Sequence, residues 1–188
     1  HRNPYTRMRL CDDPAICVYE ITNENSVTMG WGNLRGRVAE PWCDELDALW
    51  QAWLTENHLP AEPLPDSFSS GGDNARRFAA GLQRRYLEEM RTFLRGLGVK
   101  APICGTNITF TLGDLWASQD MDYTNDHAYA DHPNVGARPM TFGNGCAVRS
   151  PPWALSILPD FARAKVVGKP LVASEWNFCY PNDWRSEG

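Results

Sequence analysis

Four short apolar runs, separated by stretches long enough for helices, constrain this 188-residue chain more than any other feature. Residues 15–21 are mostly apolar and β-branched, follow Asp12-Asp13-Pro14, and lead into the polar cluster Thr22-Asn23-Glu24-Asn25-Ser26. They predict a buried strand. Behind Pro41, Leu46, Leu49, Trp50, Trp53 and Leu54 recur at helical spacing. Residues 59–72 are rich in Pro, Ser and Gly and predict a loop. Beyond it, Ala75, Phe78, Ala79, Leu82, Tyr86, Met90, Phe93, Leu94 and Leu97 form one apolar stripe, with Arg and Glu between them and Gly96 and Gly98 marking the stop. Residues 102–108, 121–125 and 169–175 are strand-like, and residues 152–167 predict a helix before the last of them. Such alternation predicts parallel βα units, an α/β protein with helices covering a buried sheet. With no internal repeat, low-complexity tract or second core, a single domain or part of one is expected.

Composition narrows the function classes. The chain is 43% hydrophobic and 22% charged, with a formal net charge of −5, as in an ordinary globular domain. No apolar run reaches the roughly 18 residues of a membrane-spanning helix. No basic block stands out, so the electrostatic footprint of a nucleic-acid binder is absent. Eight Trp, six Tyr and seven Phe supply flat apolar faces suited to packing and to gripping sugar rings. The six cysteines (Cys11, Cys17, Cys43, Cys104, Cys146, Cys179) show no zinc-like spacing and fit either free thiols or one or two disulfides.

Polar residues gather at the C-terminal ends of the predicted strands: Asn23-Glu24, Asn107, Asp126-His127 with Tyr129, and Glu175-Trp176. In parallel α/β barrels that edge carries the active site. A lone Glu after a strand is ordinarily a solvated loop residue or a helix N-cap, and Asn23 alone would be turn chemistry. The coincidence of three such motifs makes the ordinary explanation much weaker. Two glutamates ending different strands are what retaining glycoside hydrolysis requires, one protonated to assist the leaving oxygen and one ionised to attack the anomeric carbon.

Ile21-Thr22-Asn23-Glu24-Asn25-Ser26, Asn125-Asp126-His127-Ala128-Tyr129 and Ala173-Ser174-Glu175-Trp176-Asn177 resemble barrel strands four, six and seven of the clan A glycoside hydrolases. The likeness is greatest to the cellulase- and mannanase-like family 5 enzymes and their β-galactosidase-like relatives. It implies a (β/α)8 TIM barrel, of which residues 1–188 would be a partial segment from about strand 4 to strand 7, within one larger catalytic domain. It also implies that Glu24 is the general acid/base and Glu175 the nucleophile. Asn23 would bond the sugar 2-hydroxyl, Tyr129 would hold the nucleophile, and His127 would line the leaving-group side. A negative charge on Glu175 favours a proton on Glu24, and that bias vanishes once Glu175 is glycosylated, so one residue serves both half-reactions. The resemblance favours a secreted or periplasmic protein.

The expected substrate is a β-linked oligo- or polysaccharide, without cofactor. Trp31, Trp116 and Trp184 follow predicted strands; packing is the default for each, with one or two of them expected to stack on sugar, and Trp31, Trp116 and Trp176 are expected to bind substrate. Trp42, Trp50 and Trp53, on or beside the first long helix, are expected in the core. Asp126, His127, Asp131 and His132 sit at metal-like short spacings, but without a distant His or Cys companion no metal site is expected. Two rival functions follow from the same residues. One is a carbohydrate-binding homologue without turnover, which would not need the second carboxylate. The other is a metal-dependent barrel hydrolase, which chelation would inactivate. Carboxyl groups about 5–5.5 Å apart would indicate retention, and about 6.5–9.5 Å inversion.

Overall fold

The computed structural model describes residues 2–29, 34–130 and 158–178. Its helices are α1 (Leu34–Arg37), α2 (Trp42–Glu56), α3 (Gly72–Gly96), α4 (Leu112–Ala117) and α5 (Leu158–Arg163), and its strands β1 (Tyr19–Thr22), β2 (Ile103–Thr106), β3 (Thr124–Ala130) and β4 (Leu171–Phe178). The chain divides into two compact units. One comprises His1–Asp13, Asn25–Lys100 and Phe110–Asp120 and holds α1 to α4; the other comprises Pro14–Glu24, Ala101–Thr109 and Met121–Gly188 and holds every described strand together with α5.

The helical unit is built on aromatic packing. Asp44 and Glu45 lie in the first turn of α2, where the helix dipole favours negative charge. From this helix Trp50 and Leu54 are buried against Leu64, Phe68, Ala75, Phe78 and Ala79. Trp50 meets Phe78 edge-on at 5.2 Å between ring centroids, and its Nε1–H donates to the Glu62 carbonyl at 2.9 Å, so the indole is buried without an unmet donor. Trp42, expected in the core, is instead 61% exposed. In α3 the expected stripe holds through Ala75, Phe78 and Ala79, whereas Tyr86 and Phe93 are exposed and Leu87 is buried in their place. A Cβ at Gly71 would lie 2.6 Å from Pro65 Cγ, so this entry to α3 requires glycine.

The strand unit departs from expectation. β1 pairs with β2 in parallel, Tyr19 opposite Ile103 and Thr22 opposite Thr106, and β3 pairs with β4 in parallel, Thr124 opposite Leu171 and Ala130 opposite Phe178. These are two separate two-stranded sheets rather than four consecutive strands of one, and α2 and α3 belong to the other unit. The expected partial (β/α)8 barrel is therefore corrected. Two carboxylates and one backbone pair link the segments that carry β2 and β3 without a ladder. The Asp122 carboxylate accepts from Ile103 N–H at 2.7 Å, Asp122 N–H donates to the Ile103 carbonyl at 2.9 Å, and the Asp126 carboxylate accepts from Thr109 N–H at 3.0 Å. Backbone groups saturated in this way have no need of a neighbouring strand.

Cys11, Cys17 and Cys104 carry free thiols, and the Cys43 thiol donates to the Val38 carbonyl at 3.0 Å; Cys146 and Cys179 lie outside the described residues. Cys104 is buried in β2, and burial, reinforced by the charge of Glu20, pushes its thiol up to about 12 from an ordinary 9.0. Burial also raises the Tyr123 phenol. The folded chain thus keeps protons that the unfolded chain releases, so this stability is fully present below pH 9.0 and is lost as pH rises toward about 12. Urea midpoints should fall above about pH 9, and Cys104→Ala should flatten that decline. A midpoint that stays level in the wild type from about pH 9 to about pH 11 would contradict the assignment.

Candidate functional site

Alternation along β3 puts Asn125, His127 and Tyr129 on one face. On β4 the register slips: Asp126 opposes Ala173 and His127 opposes Glu175, which leaves Ser174 as an extra residue in a β-bulge. A bulge re-aims side chains. Here it lets Ser174 and Glu175, adjacent in sequence, both reach the polar groups of β3.

His127 is the centre of the arrangement. Its side chain is 1% exposed, and its Nδ1 lies 2.7 Å from Glu24 Oε1 and 3.5 Å from Glu175 Oε1. On the far side of the ring Nε2 is 2.9 Å from Ser174 Oγ. The Tyr129 hydroxyl donates to Glu175 Oε2 at 2.5 Å. Glu24 and Glu175 remain accessible, with side chains 42% and 37% exposed. Nδ1 and one oxygen from each carboxylate all lie within 4.8 Å of one another.

The residues behind these groups form a closed circuit of hydrogen bonds. Glu24 sits in the left-handed region at φ 45°, where a residue with a side chain needs support. Its N–H donates to Asn107 Oδ1 at 2.7 Å, and Asn107 Nδ2 donates to Asn23 Oδ1 at 2.8 Å and to Glu20 Oε2 at 3.0 Å. Asn125 Nδ2 donates to Glu20 Oε1 and, at 2.8 Å, to Ser174 Oγ, while Asn125 Oδ1 accepts from Ser174 N–H at 3.2 Å. Ser174 then meets His127, and His127 meets Glu24. Asn107, Asn125 and His127 are buried, where hydrogen bonds polarise one another, whereas Glu20, Asn23, Glu24 and Ser174 reach solvent. The sequence alone gives Glu20, Asn125 and Ser174 no role. The period of two along β3 could have drawn attention to Asn125, and nothing in the sequence marks the bulge.

The other expected site residues fall elsewhere. Asn23 directly follows β1 with its Oδ1 on Asn107, and its Nδ2 has no partner among the described residues. Trp176 follows Glu175 on β4 and is 49% exposed. Trp116 lies on α4 in the helical unit, not at a strand end, with the Arg84 guanidinium 4.9 Å from its ring centroid. There it lines a cleft of about 710 Å³ together with Trp53, Arg76 and Arg77. Trp31, Trp184, Asp131 and His132 lie outside the described residues. Asp126 is turned to a structural task, accepting from Thr109 and His127 N–H and pairing with Arg163 Nε at 3.2 Å.

No protein-family model, curated protein or solved structure matches the chain. Its likeness to the glycoside hydrolases therefore rests on the three motifs alone. No described helix is long and apolar enough to cross a membrane.

Proposed function

We propose that the protein is a retaining glycoside hydrolase that cleaves a β-linked oligo- or polysaccharide by double displacement. The observation that carries this is the convergence of Glu24 and Glu175, from different strands, on one buried imidazole, with an oxygen of each within 4.8 Å of the other. Retaining pairs stand about 5–5.5 Å apart, whereas inverting pairs hold a water between them and stand farther apart. The pair here is on the short side.

In the first step Glu175 attacks the anomeric carbon, and the glycosidic C–O bond breaks as Glu24 delivers its proton to the departing oxygen. In the second, Glu24 takes a proton from water, whose oxygen displaces Glu175 and restores both carboxyl groups. The Tyr129 hydroxyl fixes one oxygen of the nucleophile. His127 fixes the orientation of Glu24, and Asn23 Nδ2 supplies a donor for a sugar hydroxyl. Incubation with a panel of 2-deoxy-2-fluoro glycosides followed by peptide mapping tests the proposal. The expected result is a covalent label on Glu175. No label from any sugar, in a protein that still binds glycans, would overturn it in favour of a binding protein without turnover.

Ser174 acts through His127 as a positioning residue. Ser174→Ala leaves the buried Nε2 without its partner and should lower kcat about tenfold, the worth of one hydrogen bond, with KM nearly unchanged. Ser174→Thr keeps the hydroxyl and should recover most of the loss. A rise in KM with kcat intact would assign Ser174 to substrate binding instead.

A further inference from the structure

His127 Nδ1 and the carboxylate oxygens beside it are also donors that could frame a cation. We propose that Glu24, His127 and Glu175 form a binding site for Zn²⁺, and that the ion inhibits the protein by occupying both carboxylates; the inhibitory half rests on the glycosidase proposal above.

Donor chemistry and distance support the site. One imidazole nitrogen with two carboxylate oxygens suits Zn²⁺, whereas an all-oxygen set would suit Mg²⁺ or Ca²⁺. Zinc bonds of about 2.0–2.2 Å at tetrahedral angles put neighbouring ligand atoms roughly 3.4 Å apart. In the structure His127 Nδ1 stands 2.7 Å from Glu24 Oε1 and 3.5 Å from Glu175 Oε1, and no pair in the group exceeds 4.8 Å. Both glutamate side chains are more than one-third exposed, so an ion can reach them from solvent, while the imidazole is fixed by burial.

Each ligand is also held from behind, as metal ligands characteristically are. Ser174 Oγ takes the Nε2 side of His127 at 2.9 Å, which leaves Nδ1 as the metal-facing nitrogen. Tyr129 occupies Glu175 Oε2 and leaves Oε1 to face the ion. Asn107 fixes the backbone of Glu24. Three protein ligands would leave a fourth position for water. An ion seated there would take the proton-bearing oxygen of Glu24 and the attacking side of Glu175 together, so sugar cleavage and zinc occupancy exclude each other.

Titration calorimetry with ZnCl₂ on the intact protein, beside 2-deoxy-2-fluoro glycoside labelling with and without zinc, tests both halves. Glu24→Gln and Glu175→Gln change partly exposed side chains and should fold, and each should weaken zinc binding at least tenfold. Stoichiometric binding weakened by both variants, with labelling blocked by zinc and restored by EDTA, is the expected result. Absent binding, or binding that both variants leave unchanged, would overturn the zinc site and leave the glycosidase proposal standing. Binding as expected, but with labelling unaffected by zinc, would overturn the inhibition. If zinc instead proved necessary for hydrolysis and no label formed in EDTA, both the inhibitory role and the glycosidase proposal would fall, and the metal-dependent hydrolase would replace them.

Discussion

If the protein is the retaining glycosidase proposed above, Glu175→Ala should abolish turnover on every substrate, by a factor of at least about 10⁴, while Glu24→Ala should slow it by about 10²–10⁴ to a degree set by the leaving group. The two carboxylates stand on the same imidazole, so their roles separate only in kinetics. Without its nucleophile the protein cannot form the covalent intermediate however good the leaving group. Without its acid it can still form that intermediate from an aryl glycoside whose phenolate leaves unaided, and Glu175 should still be labelled by a 2-deoxy-2-fluoro sugar. The intermediate then accumulates, because water lacks its base, and azide, which needs none, should accelerate release as the glycosyl azide. Rate measurements across a series of aryl glycosides, with and without azide, check this. Azide rescue in Glu175→Ala but not Glu24→Ala would exchange the two roles.

What could be read from the sequence, and what could not, follows from how polar groups are paid for by partners. α2 and the first half of α3 were legible because apolar residues at helical spacing have one stable destination, a shared core around Trp50 and Phe78. The stripe fails beyond Leu82, where Tyr86 and Phe93 are exposed and the polar Gln83 is buried. Gln83 can sit inside because Val27 N–H and the Asp114 carboxylate satisfy its amide, a condition no periodicity contains. β3 was expected to stop at Asn125 because polar residues normally close a strand. It runs through Asp126, His127 and Tyr129 to Ala130, since those polar side chains bond Arg163, Ser174 and the two glutamates. The identities of Glu24, Glu175, His127 and Tyr129 were visible in short motifs; Glu20, Asn125 and Ser174 depend on pairing and a bulge. The expectation of one continuous sheet failed for a related reason: the Asp122 carboxylate bonds the Ile103 N–H, a β2 group that a further ladder would have used.

Asp114→Ala destabilises the helical unit by about 3 kcal/mol, and Asp114→Asn recovers little of that. Asp114 is 1% exposed. Its Oδ1 accepts from Ser26 Oγ at 2.6 Å, Thr28 Oγ1 at 3.1 Å and Gln83 Nε2 at 3.0 Å, and its Oδ2 accepts from Thr111 N–H at 2.8 Å and Thr111 Oγ1 at 3.1 Å. Truncation to Ala leaves several of these donors buried and unmet, and also removes half of the capping box of α4. Asparagine replaces one acceptor oxygen with an NH₂ donor. The hydroxyls of Ser26, Thr28 and Thr111 can rotate to accept from it, but each side of the carboxylate also faces an N–H that cannot turn away. On the Oδ2 side that is the Thr111 backbone. On the Oδ1 side it is Gln83 Nε2, whose orientation is held because Gln83 Oε1 accepts from Val27 N–H at 2.8 Å. Either orientation of the new amide therefore sets one donor against another. For a chain of this length about 3 kcal/mol corresponds to a fall in melting temperature of about 6–12 °C. Thermal unfolding followed by near-ultraviolet circular dichroism, which the Trp50 and Phe78 core reports, would measure it. An asparagine variant that melts with the wild type would show that shape alone, rather than two acceptor oxygens, is what the site requires.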